Sequence, residues 1–142
     1  MIFYDNAYSV HDFKKSKRLG NIFNLCSKYK TSNNIIMFAS TSKITFAGAG
    51  ISFLASSEKV LTNFLKFYEK TRVGSDKINQ AKHAKFFKNK KSLEDHMAKH
   101  ASIISKKFEI VENYLSKLPS EFGAWTKPTG GYFVSFNSKP GK

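Results

Sequence analysis

Phe38-Ala39-Ser40-Thr41-Ser42-Lys43-Ile44-Thr45-Phe46-Ala47-Gly48-Ala49-Gly50-Ile51 is the stretch that decides how this chain is read. The apolar run Ile35 to Ala39 has strand composition and length. It stops at hydroxyl residues, then a single lysine, then small residues and two glycines. A strand built this way delivers an amine into surroundings of hydroxyls and bare backbone. Such an amine serves as a cation for phosphate or as a nucleophile toward an aldehyde. Upstream, Ile2-Phe3-Tyr4-Asp5-Asn6-Ala7-Tyr8 is a second short apolar strand, ending in a carboxylate and a phenol three residues apart.

The bulk composition sets the class. Of 142 residues, 41% are hydrophobic and 15% aromatic, enough for a packed core rather than a disordered chain. Cys26 is the only cysteine, which excludes an internal disulfide framework and fits a reducing cytoplasm. No apolar run approaches a membrane span and the start has no signal-peptide pattern, so no membrane partner is expected. The net charge of +14 raises nucleic-acid binding as a rival reading. The lysines are scattered along the chain, however, and Arg18 and Arg72 are the only arginines. Readers of bases and phosphates favour the arginine fork, and no nucleic-acid-binding motif is visible. The scatter of the lysines, the scarcity of arginine and the lack of a motif therefore argue against nucleic acid as the partner.

The pattern along the chain predicts alternating strands and helices. Residues 17–30 place Leu19, Ile22, Phe23, Cys26 and Tyr29 at helical spacing. Ile51 to Ala55 reads as another buried strand. Ser57 caps a helix whose Val60, Leu61, Phe64, Leu65 and Tyr68 face inward. Gly74-Ser75-Asp76 breaks the chain before a helix to about Lys88. Ser92, with Asp95 completing a capping-box pair, opens a long helix with the stripe Leu93, Met97, His100, Ile104, Phe108, Val111, Leu115 and Leu118, closed by Pro119. Gly130 to Phe136 alternates like a one-sided strand, and Trp125 and the aromatics of 132–136 read as core. His96 and His100 stand four apart, a spacing open to zinc, but lack a third ligand and read as a structural pair. No metal site is expected.

The lysine segment and the Asp-Tyr strand together resemble fold-type I aminotransferases that use pyridoxal 5'-phosphate (PLP). Residues 40–57, Val73-Gly74-Ser75-Asp76-Lys77-Ile78-Asn79-Gln80-Ala81-Lys82-His83 and Pro128-Thr129-Gly130-Gly131-Tyr132-Phe133 narrow the resemblance to bacterial aspartate aminotransferases of the MocR-like kind. It runs across essentially the whole chain. It implies an α/β fold: part of the mainly parallel large-domain sheet with flanking helices over residues 1–91, then a linker helix and the beginning of the small C-terminal domain over 92–142.

The resemblance also implies roles. Lys43 matches the catalytic lysine of the internal aldimine, which on release moves the proton at the substrate's Cα. Asp5 matches the aspartate on the pyridine nitrogen, where a held proton makes the ring an electron sink. Tyr8 matches the tyrosine on the phenolic oxygen, and Ser40, with Ser42 beside it, matches the phosphate contact. Lys70, Arg72 and Lys77 are candidates for a substrate carboxylate, with a solvated charge cluster as the alternative. Many members place an arginine where Ile51 stands; here Gly48-Ala49-Gly50 lets backbone N–H groups approach the anion instead. The expected function is transfer of an amino group between an amino acid and a 2-oxo acid, aspartate or glutamate with 2-oxoglutarate or oxaloacetate, by a cytoplasmic homodimer. Another fold-type I reaction, such as a carbon–sulfur lyase, and a basic nucleic-acid-binding fragment remain the alternatives. The resemblance further implies that the chain holds the middle-to-late portion of such an enzyme and is inactive by itself.

Overall fold

The computed structural model describes residues 1–13 and 19–141. They form two compact units, residues 1–9 with 19–90 and residues 10–13 with 91–141.

The first unit is built on a three-stranded sheet in the order β1 (Ile2–Asp5), β2 (Ile35–Ser40), β3 (Ser52–Ser56). β1 and β2 are parallel, with Ile2 opposite Ile35 and Asp5 opposite Phe38. β3 returns antiparallel to β2, pairing Ser52 with Ser40 and Ser56 with Ile36. Parallel neighbours need a crossover, and the helix α1 (Ile22–Lys28) lies in it. Asn21 caps α1 by accepting from the Phe23 and Asn24 amides at 2.9 and 3.4 Å. The middle strand carries the core: Ile35 is 0% exposed, and its carbonyl accepts from Ser56 Oγ at 2.5 Å.

Two expectations need correction here. The helix anticipated over 17–30 is confined to Ile22–Lys28; Leu19, 84% exposed, and Tyr29 lie outside it, and residues 17 and 18 are outside the described residues. The buried strand anticipated at 51–55 is β3, shifted by one residue and only half covered. Its Ser52 and Phe53 are exposed, Phe53 at 55%. Phe3 and Phe38, diagonal across β1 and β2, stack with centroids 5.9 Å apart and are also exposed.

α2 (Glu58–Thr71) starts where Ser57 Oγ accepts from the Val60 amide at 3.4 Å. Val60, Leu61 and Tyr68 are half-buried as expected, whereas Phe64 and Leu65 are exposed. α3 (Lys77–Phe86) is capped by Asp76, which accepts from the Asn79 amide at 2.9 Å.

The second unit is built on α4 (Lys90–Leu115) and a two-stranded antiparallel ribbon, β4 (Gly123–Trp125) with β5 (Phe136–Ser138). α4 begins two residues before Ser92, so the anticipated capping box lies inside the helix. Asp95 pairs instead with Lys91 one turn back, at 2.9 Å. Met97 is the buried anchor of its apolar stripe. The strand expected over 130–136 is not formed as such: β5 starts only at Phe136, and Phe133 is 71% exposed rather than core. The alternation there has local causes. Tyr132 reaches His100 Nδ1 at 3.3 Å, and Phe136 stacks on Trp125 with centroids 6.5 Å apart. Trp125 is half-buried, and its indole N–H donates to Glu112 at 2.9 Å; Lys127 meets the other carboxylate oxygen at 2.5 Å. The Lys127 hydrogen bond, then the indole, hold the Glu112 carboxyl below its ordinary range. Among the described residues no group of acidic, histidine or cysteine side chains could hold a metal ion. His96 and His100 touch as rings 4.9 Å apart. No helix among them is long and apolar enough to cross a membrane.

Candidate active site

Two neighbouring parallel strands end at the same edge of their sheet, and that edge is where an α/β fold presents ligand-binding groups. Asp5 closes β1 opposite Phe38, and the next amide, Asn6 N–H, donates to the Phe38 carbonyl at 2.8 Å. β2 runs two residues further and opens into the turn containing Lys43. The backbone thus brings the strand-end carboxylate and the lysine turn to one edge.

Asp5 is exposed, and its Oδ1 accepts from the Ala7 amide at 3.2 Å. This short bond fixes the side chain over its own turn and leaves Oδ2 as an open acceptor. Tyr8 follows half-buried in that turn. Lys43 is exposed in the middle of a helical turn, where Ile44 and Thr45 N–H both donate to the Thr41 carbonyl at 2.8 and 3.0 Å.

The two serines act as a pair. Ser42 N–H donates to Ser40 Oγ at 3.0 Å, and Ser40 Oγ donates to Ser42 Oγ at 2.8 Å. Ser40 thus spends its hydrogen on Ser42, and the exposed Ser42 hydroxyl carries the hydrogen left for an outside acceptor. Gly50 lies against Ser42 so closely that a Cβ there would stand 2.8 Å from Ser42 Cα. Gly48 has φ +72°, a left-handed conformation that glycine adopts without strain. Thr41 N–H donates to the Ile51 carbonyl at 2.9 Å, which ties the glycine segment back to β2.

Sequence reasoning missed the groups that hold this turn from behind. Thr41 and Thr45, two residues either side of Lys43, both place Oγ1 against His83 Nε2, at 3.0 and 2.7 Å. Asn79 Nδ2 donates to the Ala49 carbonyl at 2.9 Å. The available signal was two threonines four apart flanking a lysine, with an Asn/His pair four apart on α3.

Of the remaining candidates, Lys77 opens α3, the helix whose Asn79 and His83 support the lysine turn. Lys70 lies in the last turn of α2, and Arg72, at its C-cap, sits over the Tyr68 ring at 5.8 Å. A groove of about 490 Å³ in the second unit, lined by Phe13, Phe108, Val111, Leu115, Pro128 and Val134, contains none of the candidate residues.

A carboxylate, a phenol, two hydroxyls, an amine and glycine backbone thus stand around one sheet edge of an α/β unit. The comparisons with known proteins make this specific. Residues 1–141 match the family described as aspartate amino-transferase, and the chain belongs to that family. It is 39% identical over 145 residues to a candidate aminotransferase of Mycolicibacterium smegmatis, covering 99% of this chain and 33% of that protein. It is 35% identical over 143 residues to an aspartate aminotransferase of Corynebacterium glutamicum, with the same coverage. The crystal structure of a candidate aminotransferase from Corynebacterium diphtheriae superposes with a TM-score of 0.89 at 37% identity, covering 98% of this chain and 35% of that one. The fold is accordingly part of the α/β fold of PLP-dependent aminotransferases. The chain spans about a third of the length of the curated relatives it matches.

Proposed function

We propose that this chain carries the cofactor-holding lysine segment of a PLP-dependent aminotransferase of the aspartate type. The observation that supports it most directly is the delivery of Asp5 and the Lys43 turn to one sheet edge by the parallel pairing of β1 and β2. The donor set suits the cofactor: Asp5 for a protonated ring nitrogen, Tyr8 for the phenolic oxygen, the Ser40–Ser42 pair for phosphate, and Lys43 for the aldehyde carbon. The close approach of Gly50 to Ser42 fixes the glycine segment against the backbone of the serine pair. When bound, PLP supplies the carbonyl carbon and the electron-accepting ring.

The chain's own residues then have distinct work. The Asp5 carboxylate would keep a proton on the cofactor's ring nitrogen by its charge. Lys43 Nζ would be the base that takes the proton from the substrate's Cα and delivers it to the former aldehyde carbon. Tyr8 donates to the phenolic oxygen, and Ser42 donates outward while Ser40 orients it. Lys70, Arg72 and Lys77 are the cations we assign to a substrate carboxylate, Lys77 with the best support because its helix touches the lysine turn. The substrates on this reading are an amino acid and a 2-oxo acid, aspartate or glutamate with 2-oxoglutarate or oxaloacetate, as the name of the Corynebacterium glutamicum relative suggests. A cytoplasmic homodimer is the assembly that goes with it.

Borohydride reduction in the presence of PLP, followed by peptide mass mapping, tests the reading. The pyridoxyl label is expected on Lys43 and absent in Lys43→Ala. A label distributed over other lysines, with Lys43 unmodified, overturns it.

A further inference from the structure

We infer that His83 is a positioning residue for Lys43, acting through Thr41 and Thr45 as a single clamp on the lysine turn; this rests on the assignment of Lys43 above. His83 is 6% exposed, and both ring nitrogens are engaged. Nδ1 lies 2.9 Å from the Asn79 carbonyl, which only accepts, so Nδ1 carries the hydrogen. In the neutral ring, Nε2 is therefore an acceptor, and it faces two hydroxyls, Thr45 at 2.7 Å and Thr41 at 3.0 Å.

The hydrogen-bond directions follow. Thr41 Oγ1 already accepts from the Ile51 amide at 2.9 Å, which leaves its own hydrogen for the imidazole. Thr45 Oγ1 is also 3.2 Å from both the Thr41 carbonyl and the Thr41 hydroxyl, so the two side chains and one ring atom close a compact polar cluster. Phe46 packs edge-on against the imidazole, with centroids 5.4 Å apart, and shields one side of it. The residues bracketing Lys43 on both sides thus converge on a single atom of α3.

The chemistry explains why this arrangement suits a lysine that must reach one carbon. A flexible amine on a free loop samples many positions, and reaction rates fall steeply when the attacking atom is misplaced by about 1 Å. A bond from either side of the lysine fixes the direction in which its Cα–Cβ bond leaves the turn. A second bond from the same helix, Asn79 Nδ2 to the Ala49 carbonyl, holds the following segment where Gly50 meets Ser42. α3 therefore sets the lysine and the serine hydroxyl in one frame. His83 touches neither substrate nor cofactor in this scheme; it works through the two threonines.

Amide hydrogen exchange of the cofactor-free chain tests the clamp, reading Ile44, Thr45 and Ile51, whose N–H groups bond to Thr41. Glutamine places its amide near the Nε2 position, whereas asparagine reaches only the Nδ1 position. His83→Gln is therefore expected to keep exchange within about twofold of the parent, and His83→Asn to accelerate it roughly fivefold or more, the loss expected for a neutral hydrogen bond. Thr45→Val, which preserves shape, is expected to accelerate it similarly and serves if His83→Asn unfolds; amides of β1 and β2 are the control for folding. Unchanged exchange at the three amides in Thr45→Val, or equal acceleration by the glutamine and asparagine variants, overturns the clamp. Borohydride labelling of the same proteins separates the two readings. A parent that labels at Lys43 while Thr45→Val labels more slowly supports both. A parent that does not label at Lys43 overturns the lysine assignment, and with it the positioning role, even where the exchange results stand.

Discussion

Replacing Gly50 by alanine tests whether the Ser42 turn holds the cofactor's phosphate, as proposed. The new Cβ would stand 2.8 Å from Ser42 Cα, 2.9 Å from Ser42 N and 3.0 Å from Ser42 Cβ. The nearest contact is 0.6 Å short of the 3.4 Å at which ordinary contact begins. Two of the three atoms are backbone, so a rotamer change cannot relieve the clash, and the turn carrying Ser42 and Lys43 has to move. Overpacking of this kind costs about 1–3 kcal/mol. Gly48→Ala is the matched comparison: nothing lies within 4 Å of its added methyl, but φ is +72°. Its cost is about 1 kcal/mol of backbone strain with no displacement of Ser42. Urea denaturation and PLP titration by absorbance measure the two effects separately. Both variants should lower the unfolding midpoint, and Gly50→Ala alone should weaken PLP binding, by roughly tenfold if about 1.4 kcal/mol of the strain is released at the site. Equal PLP affinity in Gly50→Ala and the parent would refute the placement of phosphate at the Ser42 turn.

Asp5→Ala should still take the borohydride label at Lys43 but lose most of the proton abstraction from substrate Cα, measured in a single turnover with deuterated amino acid; an unchanged rate would make Asp5 a strand-end turn former only. His100 has its pKa lowered, first by burial and second by His96, so the folded second unit binds that proton less readily than the unfolded chain. Stability is then constant above the ordinary histidine range, declines as pH falls through about 6.5 toward the lower folded value, and levels off below it. Thermal melts from pH 8 to 5 should show that decline, and His100→Gln should flatten it; a parallel decline in the variant assigns the effect to other groups.

Much of the candidate site is readable in the sequence because its geometry is local. A strand ending in Asp5, a strand ending in Ser40 and a turn of small residues each declare themselves within a few positions, whereas the pairing of β1 with β2 is seen only in the structure. The support from α3 is not local. His83 is separated from Thr41 by forty-two residues, so nothing local in the sequence joins them. The boundary errors have similar causes. Ser92 and Asp95 satisfy a capping pattern, yet α4 starts at Lys90 and Asp95 prefers Lys91. The alternation at 132–136 imitates a strand because its aromatics are held by unrelated partners, His100 for Tyr132 and Trp125 for Phe136.

The hydrogen-bonded pairing of β1 with β2 also acts as a ruler. Adjacent strands stand about 4.8 Å apart whatever joins them, so the spacing between the backbone of Asp5 and that of the strand leading to Lys43 does not depend on residues 6–34. The strand spacing is set by the pairing itself and not by the length of the connection. A single-residue slip in register, by contrast, would shift the acid along the edge and turn its side chain to the opposite face. Insertions in the connection should therefore be far better tolerated than one-residue deletions inside Ile2–Asp5 or Ile35–Ser40.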